Sequence, residues 1–272
     1  MRAALLAFAF ACAAATPAAA ERFALHYDAT ALGFIPLGDM EVDADLSADS
    51  YQIDTQLQSS GLMSLFERTN LHGTATGAIT NGGVRWQTYD LDHHYSKKHR
   101  VIAMRAGLDG SVTQDISPNY RLWGAPPTSE AQRRGSRDPL STVMAMAIDV
   151  NASHHCTGDY PTYDGRWHYL LRLSGGHAAH YDGGGYDGPI LKCDLTYVAV
   201  AGYERNDRGR TRVPHGEVWF ALVPDSAFGP PVHISTPFSA GGATIRLTQW
   251  RRVAIGVVDA PPDATPAQTP TP

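Results

Sequence analysis

After its first twenty residues this 272-residue chain has no run of the roughly 18 apolar residues that a membrane-spanning helix needs. A helical membrane protein is therefore excluded, although the faint alternating signal of barrel strands leaves an outer-membrane barrel open. Basic charge is short as well: 22 Lys and Arg stand against 27 Asp and Glu, so the cationic footprint of a nucleic-acid binder is missing. No G-x-S-x-G turn announces a serine nucleophile. The glycines of GGGYDG lack the strand-to-helix setting of a phosphate loop and read as a flexible hairpin end. Cysteine is scarce, with three residues at spacings that match no zinc pattern.

What is present starts with a leader. Met1 and Arg2 precede an apolar run from Ala3 to Ala15, and Ala18, Ala19 and Ala20 form a small-residue cleavage site before Glu21. This is the pattern of a Sec-type signal peptide over residues 1–20, and it predicts a periplasmic protein. Cys12 would leave with the leader, or would be the acylated residue if the chain were a lipoprotein. The net charge of −5 becomes one unit more negative once Arg2 is removed. Export also decides the fate of Cys156 and Cys193. In an oxidising compartment, two remaining thiols with no third competitor are expected to bridge, which in the chain-entropy picture stabilises the fold by roughly 3–4 kcal/mol.

Residues 21–258 read as one β-rich domain, and residues 259–272, DAPPDATPAQTPTP, as a disordered tail with too little apolar surface to offset its ordering entropy. Phe23, Leu25 and Tyr27 alternate with Arg22, Ala24 and His26, the period-2 pattern returns at 37–46 and 51–57, and further strand candidates are 68–79, 84–90, 99–106, 166–173, 190–200, 216–223, 232–238 and 243–258. Asn81-Gly82, Asp109-Gly110 and Asp164-Gly165 supply hairpin turns between them. The expected fold is mainly β: a strongly curved antiparallel meander, β-spiral or half-barrel-like, with one capping helix. That helix is DPLSTVMAMAI at 138–148, with a capping Asp138, a proline at its first position, and Leu140, Val143, Met144 and Ala147 on one face. A short amphipathic turn is expected at GLMSLFE, residues 61–67.

The segments GFIPLGDMEVDADL, GLMSLFE, DPLSTVMAMA, CDLTYVAVAGYE and GEVWFALVP resemble the DUF3108 family of bacterial envelope proteins, over nearly all of residues 22–256. The run from Cys156 to Tyr169 with its DGRWHY core, answered by YDGPILKCDLTYVAVAGY, is similar to the alphaproteobacterial form of that family. A fainter likeness joins the chain to disulfide-bearing β-spiral proteins of envelope integrity. The resemblance implies a periplasmic β domain of unassigned function and carries no catalytic signature. The insert SGGHAAHYDGGGYDG departs from it, so nothing at that position carries over.

His93, His94 and His99 cluster in LDHHYSKKH, and His154 with His155 precedes Cys156 near Asp159. Adjacent strand residues point to opposite faces and a disulfide consumes the thiol, so these read as solvated histidines and no metal site is expected. The i, i+2 carboxylates Asp43 with Asp45 and Asp90 with Asp92 share a strand face and read as surface pairs. Arg133, Arg134 and Arg137 lie in a polar loop, PPTSEAQRRGSRD, from which guanidinium groups could touch lipid phosphates or acidic wall polymers, with Arg251 and Arg252 near the last strand adding to them. No catalytic residue and no cofactor is expected. The functional expectation is a non-catalytic protein of envelope maintenance that binds a lipid chain or a peptide or protein partner on its concave face. A lipid or lipoprotein carrier and a hydrolase of envelope polymers stand as alternatives. An envelope lipid, a lipoprotein or a cell-wall component is the expected partner, with no nucleic acid and no transmembrane span.

Overall fold

The computed structural model describes residues 20–61, 68–81, 83–207, 211–238 and 241–255. The leader, most of the GLMSLFE turn and the tail lie outside the described residues. Among the described residues thirteen strands form one antiparallel sheet. In chain order they are β1 Ala20–Ala31, β2 Ile35–Leu46, β3 Ser50–Ser59, β4 Thr69–Thr80, β5 Gly83–Tyr95, β6 Lys98–Ala106, β7 Val112–Ser117, β8 Gly158–Tyr163, β9 His168–Gly183, β10 Tyr186–Ala201, β11 Gly216–Ala221, β12 Pro231–Phe238 and β13 Gly241–Ile255. Across the sheet the order is β7-β6-β5-β4-β3-β2-β1-β13-β12-β11-β10-β9-β8. Two meanders therefore join where the first strand pairs with the last, Ala20 opposite Ile255, and the sheet stays open between β7 and β8.

Alternation sets which face is interior. Along β1, Glu21, Phe23, Leu25 and Tyr27 are buried while the residues between them are half-buried or exposed, and β3 does the same with Tyr51, Ile53 and Thr55. Among the described residues two helices interrupt the sheet: α1 Glu130–Arg134, opened by a Ser129/Gln132 capping box, and α2 Pro139–Ser153. Asp138 caps α2 by accepting from the Ser141 N–H at 2.9 Å, and His154 ends it in the left-handed conformation at φ 57°.

Helix α2 packs against strands of both meanders, β4 and β5 on one side and β8 and β11 on the other. It lies within the concavity, and this explains why its burial is wider than one face. Besides Met144 and Ala147, the buried set includes Ser141, Thr142, Ala145, Met146, Val150 and Asn151, whereas Leu140 and Val143 are only partly buried. Its polar inward groups are paired: Ser141 with the Tyr51 hydroxyl at 2.7 Å, Thr142 with Thr162 at 3.1 Å, and Asn151 with the backbone of Val223 and Ser226.

Three local differences from the sequence reading have physical reasons. Strand β7, VTQDIS, buries only Ile116 and so shows little hydrophobic alternation. Strand β8, GDYPTY, carries Pro161, which a sheet accommodates at its edge. The glycine-rich insert after β9 begins is paired strand as far as Gly183, with only Gly184-Gly185, both at positive φ, forming the hairpin turn.

That insert also seats the disulfide. Cys156, just past α2, bridges to Cys193 of β10 with Cα atoms 5.4 Å apart, as expected from the sequence. The β9–β10 register slips between Lys192 and Asp194, opposite Gly175 and Gly176 at φ 72° and 126°. A Cβ on Gly176 would lie 3.6 Å from the Cys156 sulfur, so the glycine bulge brings the backbone against the bridge.

The open seam between β7 and β8 is spanned by side chains and by residues 136–138. Arg137 lies beside β8, donating its N–H to the Pro161 carbonyl and accepting from Tyr163, while its Nε donates to the Val84 carbonyl of β5. Trp86 Nε1 donates to the Ser136 carbonyl, and the Tyr163 hydroxyl to Gln114 of β7 at 2.7 Å.

Candidate functional site

The concave side is not uniformly filled. At the end formed by β5, β6 and the β8–β9 hairpin there is a cavity of about 720 Å³, within the usual range for ligand pockets. Its walls come from three sources. Strands β5 and β6 present Tyr89, Leu91, His93, Tyr95, Lys98, Arg100 and Ile102; the β8–β9 turn and β9 present Asp164, Arg166, Trp167 and Tyr169; and Tyr120 follows β7. The β5–β6 register, His93 opposite Arg100 and Tyr95 opposite Lys98, places these inward residues side by side.

The wall is aromatic, and its cations rest on rings. The Arg100 guanidinium lies 4.0 Å from the Tyr120 ring centre, and Arg166 lies 5.2 Å from the same ring and 5.6 Å from that of Trp167. Lys98 stands 5.7 Å from the Tyr95 ring. Arg166 is ion-paired with Glu204 at 2.8 Å. Arg100 forms no salt bridge with any described residue, and its Nε is buried without a hydrogen-bond partner among them. Behind the lining, Trp167 stacks on Tyr203, Tyr169 stacks on Tyr197, and the hydroxyls of Tyr197 and Tyr203 are in contact.

Ionisation follows burial. Burial pushes the Tyr89 and Tyr169 phenols well above their ordinary range. Tyr120 is raised by burial too, while the neighbouring Arg100 guanidinium works the other way. These hydroxyls stay neutral and can donate. The Asp164 carboxyl accepts from the backbone N–H groups of Arg166 and Trp167 at 3.0 and 2.7 Å, yet burial still lifts it to about 6. The cavity can thus take an anion on Arg100, a flat or apolar body against the rings, and hydrogen-bond acceptors on the phenols.

Of the residues singled out from the sequence, His93 lines this cavity, whereas the arginines and the His154–His155 pair fall elsewhere. Arg134 pairs with Glu130 at 3.0 Å, and Arg137 belongs to the seam. Arg133 lies beside Tyr163, whose phenol is raised by burial to about 12 with Arg133 pulling the other way. Arg252 binds Glu21 at 2.7 Å across the β1–β13 pair. His154 and His155 are exposed at the end of α2, and Cys156 beside them is bridged. Among the described residues no helix is long and apolar enough to cross a membrane. A second hollow of about 410 Å³, bordered by His26, Glu41, Asp43, Gln249 and Arg251, lies over outward residues of β1, β2 and β13, and no orphaned buried side-chain atom marks it among the described residues.

The chain shares its fold with a solved protein. The crystal structure of a β-barrel-like protein of a domain of unknown function, DUF1849, from Brucella abortus superposes with a TM-score of 0.53 at 11% identity, covering 87% of this chain and 99% of that one. No family model matches the chain, and no curated protein matches it. The likeness shows a β-barrel-like fold and no particular activity. The DUF3108 resemblance rests on the sequence segments that suggested it.

Sequence reading missed Arg100, Tyr120, Asp164, Arg166 and Trp167 as site residues. One signal was available for Arg100: it shares strand parity with the buried Ile102 and Met104, so a charged side chain there points inward.

Proposed function

We propose that the protein is a non-catalytic cell-envelope binding protein whose cavity takes an anionic amphiphile, with the head group on Arg100 and the apolar body against Tyr89, Leu91, Ile102, Tyr120 and Tyr169. The observation that carries this reading is Arg100 itself, stacked on Tyr120 at 4.0 Å within the cavity and ion-paired to no described residue. A half-buried guanidinium without a counter-charge is costly, and a ligand carboxylate or phosphate would supply the missing partner bidentately. The leader pattern and the Cys156–Cys193 bridge support an oxidising, periplasmic setting.

A fully apolar groove for a long acyl chain, the first expectation for the concave face, fits less well. Helix α2 occupies much of the concavity, and what remains open carries Lys98, Arg100, Asp164 and Arg166 among its rings. The hydrolase alternative has one observation in its favour, the Asp164 carboxyl held near 6 on the same wall.

The test uses palmitate and a lysophospholipid, with binding followed by calorimetry and Trp fluorescence. Arg100→Gln should weaken binding about tenfold to a hundredfold, the worth of a charge-assisted hydrogen-bonded contact. Asp164→Asn should leave binding in place. Equal binding by the wild type and Arg100→Gln, or turnover of an ester probe abolished by Asp164→Asn, would move the assignment to the hydrolase or to another surface.

A further inference from the structure

We propose that Asp92, His94 and His99 form a divalent transition-metal site on the outer face of the β5–β6 hairpin. The hairpin has two chemically distinct sides. Leu91, His93, Tyr95, Lys98 and Arg100 point into the cavity, and the alternate residues Asp92, His94 and His99 point outward. Tyr95 pairs with Lys98, so Ser96-Lys97 is a two-residue turn, with Ser96 at φ 53°. That turn fixes His94 directly opposite His99, one rung in from the hairpin end. The i, i+2 spacing puts Asp92 on the same face as His94.

The side chains converge accordingly. The two imidazoles are stacked 3.9 Å apart with their planes 8° from parallel. Nε2 of His94 lies 3.1 Å from Asp92 Oδ1, and Nε2 of His99 lies 2.8 Å from the same oxygen. All three potential ligand atoms fall within 4.8 Å of one another. In a tetrahedral site with bonds near 2.0–2.1 Å, neighbouring donors sit about 3.3 Å apart, so small rotations of exposed side chains would complete the geometry.

Two imidazole nitrogens with one carboxylate oxygen select zinc, copper or nickel over calcium or magnesium, which prefer oxygen shells. In the present arrangement one carboxylate oxygen serves two ring nitrogens. A dication would take the place of the shared protons and let all three donors point at one centre. Asp90, the next outward carboxylate on β5, is already paired with Arg105 at 2.8 Å, which leaves Asp92 as the acidic ligand. A fourth position would remain open to water or to a donor from another molecule.

Zinc titration of chelator-treated protein, expressed from the full sequence, tests the proposal. One equivalent should bind and raise the melting temperature, and His94→Gln, His99→Gln and Asp92→Asn should each weaken that binding by at least about tenfold. Cobalt in place of zinc should give a visible spectrum of nitrogen and oxygen ligation that the His94→Gln/His99→Gln variant lacks. On the wild-type chain, zinc should protect His94 and His99 from diethylpyrocarbonate while His154 and His155 react, which avoids dependence on a variant that fails to fold. Zinc affinity and stoichiometry unchanged in the double variant, or reaction of His94 and His99 unaffected by zinc, would overturn it. Neither outcome bears on Arg100, so this site stands or falls apart from the amphiphile cavity.

Discussion

Around α2 the inward side chains of the sheet meet other side chains: Phe23, Leu25, Ile190 and Phe220 belong to one buried cluster with Met144, Ala147 and Val150. Around Tyr120 the inward side chains of β5, β6 and β9 meet open space, and the residues they present include Lys98, Arg100 and His93. The same strand alternation builds both regions, so what separates core from site is whether a helix was supplied to fill the concavity. The polar groups reflect this. Ser141, Thr142 and Asn151 in the filled half are hydrogen-bonded within the protein, whereas Arg100 Nε in the open half has no partner among the described residues. A second, smaller cluster of Ala75, Trp86, Tyr89, Ile102, Met104, Ile116 and Tyr163 forms the floor between the two.

The contrast breaks most sharply at Phe220, which is fully buried in the filled half. Phe220→Ala should cost about 3–5 kcal/mol of unfolding free energy, through lost transfer energy and the cavity left behind. Urea denaturation measures this. A loss below about 1 kcal/mol would mean that the interior at α2 is as loosely filled as the interior at Tyr120.

The disulfide ties the end of α2 to β10, and its effect should be nearly as large. Replacing both Cys156 and Cys193 by serine opens a loop of sequence separation 37, for which chain entropy gives roughly 3–4 kcal/mol. Because the bridge lies within the filled cluster, the variant should lose stability while ligand binding at Arg100, measured below its melting temperature, changes little. Parallel loss of both would show that the two regions are one cooperative unit.

Much of this division could be read from the residues, and its limits are instructive. Phe23, Leu25 and Tyr27 announced their strand and face, and Asp138-Pro139 announced a helix start, because alternation and capping are local properties. Which strand would stand opposite which was not local. The pairing of β1 with β13 joins residues more than two hundred apart, and the seam through Arg137 depends on that closure. Arg137 looked like a free cation in a polar loop, yet its backbone pairs alongside β8. His94 and His99 read as part of a cluster of solvated rings until the hairpin register set the two face to face. Inward parity marked Arg100, but only the position of α2 shows that space remains beside it.

At the boundary between the regions, Asp138 offers a test by pH. Its carboxyl is fully buried, one oxygen capping α2 and the other without a partner among the described residues, and burial raises it to about 6. Since the folded value lies above the ordinary 3.8, the folded chain holds a proton between about pH 4 and 6 that the unfolded chain releases. Stability from this group therefore increases as pH falls through 6 and is lost as pH rises through it, by up to about 3 kcal/mol at roughly 1.4 kcal/mol per pK unit. Asp138→Asn, which keeps a capping oxygen, should flatten this part of the profile. Melting curves from pH 4 to 7 with an unchanged slope in the variant would show that Asp138 is ionised and solvated in the folded chain.

The smallest stability effect should come from the open half. Arg100→Gln removes a charge that neutralises no described carboxylate, an Nε–H that has no partner there, and a cation–π contact with Tyr120. The last is worth about 0.5–1 kcal/mol at a solvent-accessible site, and removing an orphaned donor returns a comparable amount. The two nearly cancel, so the unliganded variant should unfold within about 0.5 kcal/mol of the wild type. With palmitate present the curves should separate, because only the wild type gains stability from a ligand that binds the folded state. A loss of more than about 2 kcal/mol without ligand would mean that Arg100 is held by contacts inside the protein, and the open half would then be core after all.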